Sequence, residues 1–248
     1  MRQLAIYGAG GAGRELAWLA ESCSDETTGE GYEVACFIDD QPAKHGKLIN
    51  GIPVMGLTAA RQRFPAALLL GGVGNPGTRQ LLTERAAAAG YKFASLVHPR
   101  VEKSKWLEIG AGTVVCAGSY LMPNIVLGRH VQVSLDCTVG HDVIMRDYTT
   151  LAPGVHVSGW VHFGKRVYVG TGASIINGTE DAPLVLGDDV VVGAGACVTK
   201  SVPGGLTVVG VPARPLGLPA HAARYGDYGL PFPRSIQRRR RPALLRAG

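Results

Sequence analysis

Between about Leu107 and Val202 an aliphatic residue returns at every sixth position: Ile109, Val115, Leu121, Leu127, Val133, Val139, Met145, Leu151, Val157, then Phe163 as the one aromatic, Val169 and Ile175. A helix repeats every 3.6 residues and an ordinary strand every two, so neither generates this pattern. A period of six fits a solenoid with short flat faces. The position after the aliphatic is often glycine, as at Gly110, Gly128, Gly140, Gly164 and Gly170, which suits a tight corner between faces. Four positions after it stands Thr, Ser, Val, Ile, Cys or Ala as far as Thr179. Three hexads make one triangular coil of eighteen residues, and coils stack to bury their corners in a continuous core. The phase breaks once: from Ile175 to Leu186 the step is eleven, so the segment from Asn177 to Pro183 reads as a loop pushed out of the coil. Leu186, Val192 and Val198 resume the count.

The N-terminal third carries a different pattern. Leu4 to Gly8 reads as a buried strand that turns through Gly8-Ala9-Gly10-Gly11-Ala12-Gly13 into a helix from Arg14. Glycines at such a turn let a phosphate or sugar approach backbone N–H groups at a helix start. A second strand, Val34 to Ile38, ends in Asp39-Asp40, where a doubly wound sheet holds a bound nucleotide. Leu68-Leu69-Leu70 leads into a second turn, Gly71 to Gly77, and an Ala-rich helix that reaches about Ala89. Strands alternating with helices predict a short Rossmann-like βαβ domain over residues 1–97, too small for a complete dehydrogenase fold. The β-helix follows over 98–218 and a basic tail over 219–248.

Composition adds little to this division but removes some functions. A chain of 248 residues can bury a proper core, and its 35 glycines lack the triplet period of collagen. No run of eighteen uninterrupted apolar residues occurs, and the start enters a strand at once, so a soluble protein without membrane insertion or export signal is expected. Five scattered cysteines without C-x-x-C spacing fit reduced thiols in a cytoplasm rather than a disulfide frame or zinc. The last eighteen residues hold Arg234, Arg238, Arg239, Arg240, Arg241 and Arg246 and no acid, which accounts for the whole net charge of +6. The body is neutral, so no nucleic-acid partner is expected; the tail reads as a solvated stretch.

His141 is the candidate base. It lies just past Gly140 in the middle of the repeat and is followed by Asp142. A neutral imidazole can take the proton that an attacking amine or hydroxyl must lose in acyl transfer. His130, His156 and His162 lack an adjacent acid and read as structural. His156 and His162, six apart, are taken as able to share a face, which leaves metal binding as a remote option.

The hexads resemble the left-handed parallel β-helix of hexapeptide acyltransferases. With the Gly-rich turn, Asp39-Asp40, Gly51 to Gly56, Gly74-Asn75 with Arg79, His98-Pro99, Gly140-His141-Asp142 and Gly210 to Arg214 in this order, residues 4 to 216 resemble the sialic-acid O-acetyltransferase and nucleotide-aminosugar N-acetyltransferase family, to which the bacillosamine-pathway acetyltransferase belongs. The resemblance implies an acetyl-CoA-dependent N- or O-acetyltransferase with no metal, acting on a sugar or nucleotide-sugar acceptor as a homotrimer with the donor between subunits. It implies that His141 is the base and that Asp142 raises its basicity. It places acetyl-CoA contacts at Thr150, Gly159, Thr171 and Ala194, and the acceptor at Gly10, Gly11 and Ala12 with Asp39, Asp40 and Gly74 nearby. Stacked one coil above His141, the Gly159 N–H is expected to meet the thioester oxygen.

Three departures bear on the acceptor and the coil. Ala12 stands where many relatives have histidine, Ser134 where many have asparagine, and Met145-Arg146 where Ile-Gly is usual. Two other classes stay open: a metal-dependent β-helix protein, which needs histidines converging on one ion, and a non-enzymatic nucleotide-binding protein, which leaves His141-Asp142 without a role.

Overall fold

A computed structural model describes residues 1–25 and 28–219; the basic tail from residue 220 onward lies outside the described residues. The chain begins with β1 (Arg2–Tyr7), α1 (Gly11–Glu21), β2 (Tyr32–Ile38), β3 (Leu48–Ile49), β4 (Ile52–Met55), α2 (Leu57–Arg63), β5 (Leu68–Gly71) and α3 (Pro76–Ala88). These form one sheet in the order β3-β4-β2-β1-β5, parallel except where β3 meets β4. Central β1 is covered on both sides. Leu4 and Ile6 pack with Leu16, Leu19 and Ala20 of α1, while Ala5 and Tyr7 pack with Ala60 of α2 and Ala86 of α3. Burial on two faces is why this strand reads as a continuous apolar run instead of an alternating one.

From Leu96 the described residues form a triangular β-helix, mostly of parallel two- and three-residue strands. The first face stacks Leu96–Val97, Val114–Val115, Gln132–Val133, Thr150–Leu151, Tyr168–Val169, Val191–Val192 and Leu206–Val209, closed by antiparallel Arg214–Pro219. A second face stacks Glu102–Lys103, Tyr120–Leu121, Thr138–Val139, His156–Val157, Ser174–Ile175 and Cys197–Val198. The third stacks Leu107–Ile109, Ile125–Leu127, Ile144–Met145, Val161–Phe163 and Leu184–Leu186. Partners are eighteen residues apart, as in Thr138 with His156, until the expelled loop lengthens the step on all three faces, where Phe163 pairs with Leu186, Tyr168 with Val191 and Ser174 with Cys197. The hexad aliphatics and the residues two before them, such as Val131, Cys137, Val143 and Val155, form one buried column. Where that inner position is polar its hydroxyl is satisfied: Thr113 Oγ1 donates to the Gly128 carbonyl at 2.7 Å and Ser119 Oγ to that of Ser134 at 2.9 Å.

Three expectations change. The solenoid starts at Leu96–Val97, beside the expected boundary at residue 98 but two hexads ahead of the aliphatic count from Ile109, because this strand already pairs with Val114–Val115. Lys103 occupies the next hexad position and hides that coil from an aliphatic count. His156 and His162 lie on different faces, second and third, since six residues is one side of the triangle and only eighteen returns to the same face. The post-aliphatic glycines are also not the corners with positive φ. That conformation falls two residues later, at Gly112, Gly118, Asn124, His130, Asp136, Asp142, Tyr148, Gly154, Trp160, Arg166 and Gly172, with φ from 55° to 77°. For the residues other than glycine it costs about 1–2 kcal/mol each, least for Asn and Asp. Gly110, Gly140 and Gly170 are glycine because coils approach too closely for a side chain: a Cβ at Gly140 would stand 2.6 Å from the Gly159 nitrogen.

The sheet unit is fastened to the first face by Arg79, whose side chain is fully buried. Its Nε donates to the His130 carbonyl at 3.1 Å, Nη1 to the Val73 carbonyl at 2.9 Å and Gln132 Oε1 at 3.0 Å, and Nη2 to the Tyr148 carbonyl and Thr150 Oγ1, both at 2.8 Å. No carboxylate is among these partners. Burial lowers its pKa to about 9, so it stays charged at neutral pH. Beside it, His130 stacks on Tyr148 with ring centroids 4.9 Å apart and meets Phe93 edge-on at 4.5 Å.

Replacing Arg79 by Met leaves several buried acceptors unpaired and should cost about 3–5 kcal/mol in urea unfolding. Unfolding should respond to acid through His130, whose pKa burial, with Arg79 and Arg129 nearby, lowers to about 4. Above about pH 6.5 both folded and unfolded states hold it neutral; below that the unfolded state takes the proton first, so stability falls toward pH 4 by at most about 1.4 kcal/mol per unit. Urea midpoints measured from pH 7 to 4.5 check this, and His130→Asn, which suits the left-handed corner, should flatten the slope.

Candidate active site

The coil geometry sets out the candidate base. His141 follows the second-face strand Thr138–Val139 and precedes the third-face strand Ile144–Met145, so it stands on the edge opposite the first face. Its side chain is 57% exposed, and Nδ1 lies 2.8 Å from Asp142 Oδ2. The His141 and Asn124 hydrogen bonds hold the Asp142 carboxyl below the usual range. With Nδ1–H given to that carboxylate, Nε2 is left as the acceptor.

Gly159 lies one coil above. A Cβ there would come within 2.6 Å of both Cε1 and Nε2 of His141, so only glycine lets the ring lie where it does. The Gly159 carbonyl accepts from Gly178 at 3.1 Å, while its N–H has no partner among the described residues. Trp160 donates its backbone N–H to the His141 carbonyl at 3.1 Å and sets its ring edge-on at 6.3 Å.

A second constellation forms where the Gly-rich turn meets the first face. A cavity of about 150 Å³ is lined by Ala12, Glu15, Gly74, Gln132, Ser134 and Thr150 among others. The Thr150 hydroxyl donates to the Gly74 carbonyl at 3.2 Å and accepts from Arg79, so it is 4% exposed and already committed. Gly10 and Gly11 open the start of α1, with no atom within 4 Å of a Cβ built on either. Gly13 serves packing instead, since a Cβ there would overlap the Gly8 carbonyl oxygen at 1.8 Å. Ala12 and Ser134, two of the positions that depart from the resembled pattern, face this one cavity.

Asp39 and Asp40 do not line it. Asp39 is 8% exposed and receives the backbone N–H groups of Ala9 at 3.2 Å and Gln41 at 3.0 Å, with Lys44 Nζ at 2.8 Å. Burial raises its pKa, but the Lys44, Gln41 and Ala9 hydrogen bonds prevail and lower it overall. Asp40 accepts from the Tyr7 hydroxyl at 2.7 Å and pairs with Arg85 at 2.6 Å. Both acids thus have partners within the sheet unit, Asp39 in a buried position and Asp40 with 44% of its side chain exposed.

The expected donor contacts divide in space. Gly159 adjoins His141, Thr150 belongs to the first face, and Thr171 and Ala194 are exposed on the edge between the first and second faces, joined through the hydrogen bond from Gly195 to the Thr171 carbonyl at 2.9 Å. Sequence reasoning had missed Asn124, Trp160 and the bonding of Arg79. Asn124 and Trp160 stand eighteen residues before and after Asp142, a spacing that would have found them. Among the described residues no cluster of three His, Cys, Asp or Glu side chains is placed to hold a metal ion.

The family model described as the PglD N-terminal domain matches residues 3–86. The GDP-perosamine N-acetyltransferase of Escherichia coli O157:H7 is 31% identical over 220 residues, covering 86% of this chain and 96% of that protein. Among solved structures, a histidine-to-asparagine mutant of perosamine N-acetyltransferase from Caulobacter crescentus in complex with CoA and GDP-perosamine superposes with a TM-score of 0.77 at 26% identity, over 88% of this chain and 98% of that one. The acetyltransferase domain of PglB from Neisseria gonorrhoeae FA1090 in complex with acetyl coenzyme A gives 0.75 at 35% identity, over 87% and 99%. With its α/β sheet unit, its eighteen-residue coils and the His141–Asp142 pair on their edge, the chain belongs to the nucleotide-aminosugar N-acetyltransferase family of left-handed β-helix acyltransferases.

Proposed function

We propose that this protein transfers an acetyl group from acetyl-CoA, bound as a co-substrate, directly to the amino group of a nucleotide-linked sugar, with His141 as general base. The observation that carries this reading is the His141–Asp142 hydrogen bond at 2.8 Å on an exposed coil edge, with Gly159 pressed against the ring. Nε2 takes the amine proton as the nitrogen attacks the thioester carbon. Collapse of the tetrahedral intermediate breaks the C–S bond, and the departing thiolate recovers the proton from His141. The unpaired Gly159 N–H is available to the oxygen on which negative charge develops.

In this reading the cavity at Ala12, Gly74 and Ser134 receives the acceptor, with Gly10 and Gly11 at the helix start. The two departures inside it bear on which sugar is taken. A single protomer keeps that cavity on its first face and His141 on the opposite edge. A second copy completes the site if its His141 edge lies against the first face of its neighbour, and three copies close the ring. Exposed Tyr120, Met122, Leu135, Ile144, Ile176 and Val185 on the coils offer apolar surface for that contact. Acetyl-CoA then runs between subunits, touching Gly159 of one and Thr171 and Ala194 of the next, while buried Thr150, its hydroxyl bonded to Gly74 and Arg79, lines the acceptor cavity instead. The five cysteines are unpaired thiols, which supports a cytoplasmic setting, and no described helix is long and apolar enough to cross a membrane.

Incubation with acetyl-CoA and a panel of nucleotide amino sugars that includes GDP-perosamine, followed by thiol detection of free CoA, tests the reaction; no release with any acceptor overturns it. His141→Ala should lower the chemical step by roughly 10²–10⁴-fold while acetyl-CoA affinity, measured by calorimetry, stays near wild type. A folded His141→Ala protein that turns over at the wild-type rate overturns the base assignment. Light scattering should give a mass of three chains; a monomer at micromolar concentration removes the shared site.

A further inference from the structure

Asp142 has two carboxylate oxygens, and each has a partner. Oδ2 faces His141 Nδ1 at 2.8 Å, and Oδ1 accepts from Asn124 Nδ2 at 3.0 Å. Asn124 stands one coil below Asp142, eighteen residues earlier, and both residues occupy the left-handed corner, with φ of 63° and 57°. Trp106, Asn124, Asp142 and Trp160 thus form one column along the edge. Its backbone is tied coil to coil: Asn124 N–H donates to the Trp106 carbonyl at 2.9 Å and Asp142 N–H to the Pro123 carbonyl at 3.1 Å.

The Asp142 side chain is 23% exposed and that of His141 57%, so water competes for this carboxylate. Without a second tether it is free to turn away from the imidazole. The Asn124 amide must present its NH₂ group, because its oxygen would face a charged carboxylate. We infer that Asn124 is a positioning residue for the base: it holds Asp142 Oδ1 so that Oδ2 stays on His141 Nδ1, and thereby keeps Nε2 as the proton acceptor. Asparagine satisfies both demands of the position, tolerating a positive φ and supplying a neutral donor. Aspartate would keep the corner but oppose the carboxylate, and glycine would keep it without a donor.

The inference rests on the reading of His141 as base, and the test separates the two. Asn124→Gly, Asp142→Asn, the double variant and His141→Ala are assayed with acetyl-CoA and the panel acceptor that supports the fastest CoA release. Asn124→Gly should lower kcat about tenfold, with KM for both substrates unchanged and a melting temperature close to wild type because glycine accepts the corner. In the Asp142→Asn background the same substitution should have no further effect, since it acts only through Asp142. Asn124→Asp should lose at least as much activity as Asn124→Gly. A wild-type kcat in Asn124→Gly, or an equal loss in the Asp142→Asn background, overturns the inference while an inactive His141→Ala leaves the base reading standing. An active His141→Ala removes both.

Discussion

Residues eighteen positions apart lie on neighbouring coils at the spacing of hydrogen-bonded strands, about 4.8 Å, and the functional geometry depends on that stacking. It brings Gly159 over the His141 ring and Asn124 beneath Asp142, and it sets Trp160 at the edge of the imidazole. Because the coils are rungs of parallel strands around a packed column, these side chains share a rigid frame despite their exposure. The same spacing excludes other pairings: a six-residue step moves a side chain to another face, which is why His156 and His162 do not meet.

The repeat also sets where chemistry can be placed. From Ile109 to Val169 each hexad turns through one residue of positive φ, and several of those positions carry the polar or aromatic groups that matter here: Asn124, Asp142 and Trp160 on one edge, His130 and Tyr148 on another. Their side chains project from the corner while their neighbours fill the column. Asn and Asp adopt this conformation at the least cost, so the acid beside the base and the amide that tethers it are also well-suited corner residues.

Arg79 sets the second geometric relation, that between the sheet unit and the coils. One guanidinium reaches both sides of the joint, from the Val73 and Gly74 carbonyls to the Tyr148 carbonyl and the Thr150 hydroxyl. Its planar fork matches several oxygen acceptors at fixed angles, which a lysine ammonium could not reach together. The result is that the Gly74 turn and Thr150 lie in hydrogen-bond contact at the cavity. Stability of the joint and the shape of the cavity therefore come from one side chain.

The sequence by itself determined the solenoid, its expelled loop and the sheet unit before it, because a period of six and a βα turn are local patterns that backbone geometry converts directly into structure. It also determined the His141–Asp142 pair, since adjacent residues beyond a glycine stay adjacent after folding. Tertiary structure alone decided the rest. Asp39 and Asp40 occupy the strand end where a nucleotide is often held, and the Lys44, Tyr7 and Arg85 partners they have there are unreadable without the fold. Lys103 concealed the first coil because a polar residue breaks an aliphatic count even where strand pairing continues. The triangular cross-section sends Thr150 to the first face and Thr171 and Ala194 to the edge between the first and second, all away from the edge that carries His141 within one protomer, a division that spacing along the chain does not display. A repeat fixes the direction of each side chain, but which directions converge depends on how many residues complete a turn and on what packs against the outside.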